Sequence, residues 1–176
     1  MKNNFLILTL MALLMSCQPE INTRMQIDCS ALKSNLLAGE ITQGMSLCNW
    51  DLNDTLFLFS GGGDLETAIQ VSNSIKLAGT KTQVIKRCDQ ECILLLSSGS
   101  HRSMCNNTIL GLNQFKSPSD LERILQFYDD DPRIDGELMR EILTENYEVQ
   151  MYMLPHLALI VGLIDYVIPC EPSIDE

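Results

Sequence analysis

The sequence predicts an α/β domain built on a mainly parallel sheet. Three observations lead there. The run Asp54 to Ser60, DTLFLFS, is continuously apolar, of strand length, and bounded by Asp and Gly, as in a strand buried on both faces. A triple glycine follows, and then apolar residues recur at three and four positions from Leu65 to Ala78, the period of a helix. A second strand-like run, Thr82 to Lys86, comes directly after. Strand, turn, helix and strand in that order make a right-handed crossover joining a parallel pair. The length, 176 residues, fits one such domain, with no internal repeat and no second unit.

The elements can be justified from the amino terminus onward. MKNNFLILTLMALLMSC carries one lysine, an apolar run from Phe5 to Met15, then Ser16 and Cys17. This is the pattern of an export signal, too short and wrongly flanked for a stable span. Its end, LLMSC, resembles a bacterial lipobox. That resemblance implies a signal peptide over 1–16, cleavage before Cys17, and lipid on Cys17. Gln18 rather than Asp follows, which by the same resemblance implies an outer-membrane destination facing the periplasm. Residues 17–24 read as a polar tether, and 25–176 as the folded domain. MQIDCS alternates like a short strand, and Gly39 and Gly44 punctuate the stretch after it.

Gly61 to Gly63 form the turn after the apolar strand. Asp64 is the cap of the next helix, with Thr67 at the third position, and Gly79 its left-handed stop. CILLLSSG, after Cys92, fits a buried strand or a buried helix equally. TILGLN reads as a strand. Ser117, Pro118 and Asp120 mark a helix start. GELMREILTENY gives another helix, LPHLALIVG a short apolar one from Pro155 to Gly162, and DYVIP a last strand.

Charge and cysteines narrow the function. With 12 basic and 23 acidic residues, the formal net charge is −11. Such a surface repels nucleic acid and anionic headgroups, so no nucleic-acid partner is expected. Nothing after Cys17 is apolar for the roughly 18 residues that a span needs. With Cys17 assigned to lipid, Cys29, Cys48, Cys88, Cys92, Cys105 and Cys170 remain, an even number consistent with disulfides in an exported protein. Spacing does not fix their pairing. Cys88 and Cys92 are candidates for a local bridge. Zinc is the rival, but there is no second close pair to complete the ligand set, so no metal and no cofactor are expected.

In order, the segments AGEIT, LFLFSGGGDLETA, RCDQECILLLSS, LGLNQF and MYMLPHLALIVGLIDYVI resemble the ClpP/crotonase superfamily, and most closely its small secreted ClpP-like members. The similarity runs from Ala38 to Ile168. It implies a parallel-sheet spiral of ββα units. It also implies an oxyanion hole made by backbone N–H groups of Gly62 or Gly63 and of Glu91. The same resemblance exposes departures. The family's nucleophilic serine falls at Gln90 and its histidine at Asn113. Its aspartate falls near Asn146, and Gly61 stands where the family has proline. An amide neither attacks a carbonyl usefully nor serves as a base near neutral pH. The triad acts as a unit, so losing its nucleophile removes covalent catalysis.

Other constellations have plainer readings. A thiolate at Cys88 or Cys92, with His101 or His156 as base, competes with a disulfide, and neither cysteine aligns with the nucleophile. Ser97 and Ser98 beside His101 sit late in an apolar segment, where core packing is expected. His156 reads as a half-buried surface residue. The run Asp129 to Asp131 lacks the spacing of a calcium loop and reads as a solvated turn. A triple glycine without Lys-Ser or Lys-Thr is a weak phosphate signal. The expectation is therefore a lipid-tethered envelope protein with a catalytically degenerate ClpP-like domain that binds a peptide or protein. The sequence leaves self-assembly open. An active hydrolase using a cysteine or an unaligned nucleophile is the alternative. A crotonase-like acyl-thioester site would need coenzyme A, against which the export signal argues.

Overall fold

The computed structural model describes residues 28–112, 117–145 and 151–170. Cys17, Asn113 and Asn146 lie outside them, as does the expected signal segment.

Thirteen elements follow one another among the described residues. They are β1 (Leu32–Lys33), β2 (Leu36–Ala38), β3 (Thr55–Ser60), α1 (Leu65–Ala78), β4 (Lys81–Asp89), α2 (Glu91–Ser97) and β5 (Arg102–Cys105). After these come β6 (Ile109–Leu112), α3 (Pro118–Asp129), α4 (Gly136–Glu145), β7 (Met151–Met153), α5 (Pro155–Val161) and β8 (Tyr166–Ile168). A 3₁₀ turn spans Met45–Leu47. The strands form one sheet in the order β1-β2-β3-β4-β5-β8, with β6 pairing β4 and β7. Only β1 with β2 and β6 with β7 run antiparallel. The α/β architecture and the crossover β3-α1-β4 are as expected.

Strand β4 organises the molecule because it is longer than the sequence suggested. Its first half pairs β5, Thr82 opposite Arg102, and its second half pairs β6, Arg87 opposite Ile109. Its register against β3 shifts between Leu58 and Ser60. That irregularity turns the strand so that Arg87, Cys88 and Asp89 continue the sheet past the end of the apolar run.

The segment after Cys92 is a helix. From Cys92 to Leu96 every side chain is fully buried, so α2 lies wholly inside, packed between the sheet and α1. Its apolar residues have no outer face, which is why period alone could not separate helix from strand. Ser97 and Ser98 are buried too, and both hydroxyls donate to the Leu94 carbonyl. The helix caps follow the sequence. Asp64 Oδ1 accepts from Thr67 N at 2.9 Å, and Ser117 Oγ accepts from Asp120 N at 3.2 Å. Gly79 and Gly162 end their helices in left-handed conformations.

Three expectations are corrected. Asp28 to Ser30 are not strand: the chain turns there, with Leu32 N donating to Cys29 O, and Cys29 is bridged to Cys48. Asp131 is buried, not solvated, because it forms an ion pair with Arg133, whose guanidinium also reaches the Gly99 and Ser97 carbonyls. His156 is exposed rather than half-buried on α5, alongside exposed Leu159 and Ile160.

The remaining bridges are Cys88–Cys92 and Cys105–Cys170. The latter, 65 residues apart, ties the chain beyond β8 back to the end of β5 and closes the largest loop. A second tie lies at the same edge. Arg102, 2 % exposed, donates through Nε and Nη2 to Asp165 and through Nη1 to Gly162 O. Among the described residues, no helix is long and apolar enough to cross a membrane.

Candidate functional site

The carboxyl ends of adjacent parallel strands are where an open α/β sheet presents a cleft. Here β3 ends in Ser60-Gly61-Gly62-Gly63-Asp64, and β4 ends in Asp89-Gln90-Glu91.

The glycine turn is pinned by its neighbour rather than left loose. Gly63 bridges Ile41, with Ile41 N donating to Gly62 O at 2.9 Å and Asp64 N to Ile41 O at 2.7 Å. A Cβ at Gly63 would lie 2.1 Å from the Ile41 carbonyl oxygen, and its φ of +150° disfavours any other residue. Gly62, at φ +93°, packs against the opposite turn: a Cβ there would meet Glu91 Oε2 at 2.6 Å and Asp89 O at 3.0 Å. Gly61 has open space around it and is under no steric demand to be glycine.

The second turn is sharp. Gln90 has φ 48° and ψ −116°, a conformation that costs a non-glycine residue about 1–3 kcal/mol. Its N–H donates to Gly111 O at 2.8 Å, and its carbonyl accepts from Ile93 N. The Cys88–Cys92 disulfide, with Cα atoms 5.4 Å apart, closes over the same three residues. Backbone pairing on one side and the bridge on the other hold the bend that places Gln90 at the tip. The expected local bridge is thus present, and neither Cys88 nor Cys92 carries a free thiol.

Both glycine donors are engaged. Gly62 N donates to Ser60 Oγ at 3.2 Å. Gly63 N donates to the side chain of Glu91, reaching Oε2 at 2.8 Å. Glu91 is 7 % exposed, and its carboxylate occupies the place that an incoming carbonyl oxygen would need in order to use the Gly63 donor. Burial pushes the Tyr128 phenol far above its ordinary range, and the nearby Glu91 charge adds to the shift.

A second carboxylate flanks Gln90. Asp89 is 2 % exposed and accepts from Arg87 Nε through Oδ2. Its Oδ1 lies over Gly111, where a Cβ would come within 2.1 Å. The Arg87 guanidinium in turn lies 5.4 Å from the Tyr152 ring.

The structure therefore brings together Gly62, Gly63, Gln90, Glu91 and the Cys88–Cys92 bridge. The positions of Asn113 and Asn146 lie outside the described residues. Sequence reasoning treated Glu91 only as a backbone donor and passed over Asp89 and Gly111. The available signal was the pair of acidic residues flanking Gln90 in Cys-Asp-Gln-Glu-Cys, where small residues would be enough to form the turn.

The sequence matches no protein-family model and no curated protein. Its fold is similar to solved ClpP-like peptidases. ClpP1 from Listeria monocytogenes aligns with a TM-score of 0.60 and 17 % identity, over 77 % of this chain and 91 % of that one. A peptidase from Plasmodium falciparum gives a TM-score of 0.60 and 15 % identity, over 77 % of this chain and 94 % of that one. A mutant of the Listeria ClpP1 gives 0.58 and 17 %, over 77 % and 90 %. The ClpP-like fold expected from the ordered segments is the one observed.

Proposed function

We propose that this chain is a catalytically degenerate ClpP-like domain, tethered by lipid at Cys17 in the bacterial cell envelope, that binds a peptide or protein segment without cutting it. One observation carries the reading. At the turn where the fold would hold its nucleophile stands Gln90, and the adjoining Gly63 donor is already filled by the carboxylate of Glu91. An amide at the tip supplies no nucleophile. A resident carboxylate both occupies the oxyanion position and repels negative charge developing there.

The thiol-hydrolase alternative loses support because Cys88 and Cys92 are bridged to each other and fully buried. A binding role draws on what remains: two facing turns at the strand ends, joined through Glu91 and Gly63, with an amide at the tip of one of them. Self-association belongs to the same reading. Exposed Leu154, Ile160, Tyr166 and Val167 supply apolar surface for it.

Two labelling experiments test the proposal. A fluorophosphonate probe and iodoacetamide, applied to the folded protein, are expected to leave it unmodified. Stoichiometric labelling by either would point to a working nucleophile. Labelled palmitate is expected to enter the wild type and not Cys17→Ala. Equal incorporation in both would remove the anchor from the proposal.

A further inference from the structure

With Gly63 committed to Glu91, the β3 turn has little to offer an anion. What the opposite turn retains is an acceptor. Asp89 Oδ1 is buried and has no hydrogen-bond partner among the described residues, although Oδ2 is held by Arg87. A buried carboxylate oxygen without a donor is destabilising, and charged donors compensate it best. The strand register places it. Asp89 pairs with Gly111, and Gly111 pairs with Tyr152, so the oxygen lies at the end of β4, near a tyrosine that is 47 % exposed. The absence of a side chain at Gly111 is what makes room for it.

The surroundings already accommodate a cation. The Arg87 guanidinium is held between Asp89 Oδ2 and the face of the Tyr152 ring, a carboxylate-and-aromatic arrangement that favours positive charge. The chain as a whole, at −11, attracts cations and repels anions.

Resting on the peptide-binding reading above, we infer that the group this cleft recognises is a primary ammonium, from a lysine side chain or a peptide amino terminus, donating to Asp89 Oδ1. The acceptor oxygen is buried, so the entering group has to be slim. An ammonium on an alkyl stem meets that requirement better than a planar guanidinium. Glu91, on the other flank of Gln90, adds attraction without needing to move from Gly63.

The test follows backbone amide resonances of Gly63, Gln90 and Gly111 in isotope-labelled protein during titration with four matched pentapeptides. Their central residue is lysine, arginine, norleucine or glutamate, and their ends are blocked. The lysine peptide is expected to shift these amides saturably and in a salt-sensitive way. Asp89→Asn should weaken that binding about tenfold or more, the loss expected for a charge-assisted hydrogen bond. Arg87→Gln changes a half-exposed residue. It should tighten binding severalfold by releasing Asp89 Oδ2, and it keeps the test valid if Asp89→Asn fails to fold. Equal or stronger binding by the norleucine or glutamate peptide overturns the ammonium assignment and leaves peptide binding standing. Shifts confined to other residues also overturn it. If no peptide perturbs these amides, as when a resident water satisfies Asp89, the assignment and peptide binding at this cleft both fall.

Discussion

Glu91 Oε2 accepts the backbone N–H of Gly63 at 2.8 Å, joining the ends of β3 and β4. The contact gives a direct prediction. Glu91→Ala removes the carboxylate that accepts the part-buried Gly63 N–H, and should lower unfolding free energy by about 1–3 kcal/mol. Glu91→Gln keeps an acceptor in place and should lose less. Small carboxylates, formate or acetate, should restore part of the Glu91→Ala loss by entering the vacated position. Thermal denaturation of the three proteins with and without added formate measures all of this.

The glycine turn should tolerate change at one end only. Gly61→Ala meets open space and should alter stability by no more than about 0.5 kcal/mol. Gly63→Ala drives a Cβ into the Ile41 carbonyl at a positive φ and should be severely destabilising or prevent folding. Gln90→Gly removes the strain of its positive φ and should raise stability by about 1 kcal/mol. Denaturant titrations of the single variants distinguish these outcomes.

Acid sensitivity should centre on the β5–β8 edge. Burial alone would raise the Asp165 carboxyl. Hydrogen bonds from the Arg102 side chain and backbone, and the Arg102 charge, outweigh it and hold Asp165 below the usual carboxylate range. Asp131 beside Arg133 behaves alike, burial opposing and the arginine bonds prevailing. A depressed folded pKa contributes stability that is fully present above the unfolded value, about 4, and is lost as pH falls through the folded one. Asp165→Asn should therefore flatten the decline of stability below about pH 4, while lowering stability at neutral pH. Unfolding midpoints measured across that range check the sign.

Much of the fold was legible because its signals are local. The apolar run to Ser60, the caps at Asp64 and Ser117, and the glycine stops at Gly79 and Gly162 each state their own structure. The α2 segment was ambiguous because a fully buried helix has no polar face to set its period. The extension of β4 through Arg87 to Asp89 was hidden for a different reason. Those residues are strand because they pair with β6, a contact made across the chain and unreadable from their own polarity. At the site, Gln90 and the Cys88–Cys92 pair could be picked out by order and spacing. The role of the Glu91 side chain could not, since it depends on a turn 28 residues away. Asp131 was misjudged likewise: three consecutive acids look solvated until Arg133 folds back on one of them.

The central claim is that the cleft binds without covalent chemistry, and the most direct test is turnover. The folded, disulfide-bonded protein is incubated with a panel of peptide and ester substrates, alongside Gln90→Ala and Cys88→Ala/Cys92→Ala. No turnover above the uncatalysed rate is expected from any of them. Turnover by the wild type that disappears in Gln90→Ala, with the fold intact, would show that Gln90 takes part in chemistry and contradict the account. Turnover lost only when the cysteines are replaced would contradict it as well, in favour of a thiol hydrolase.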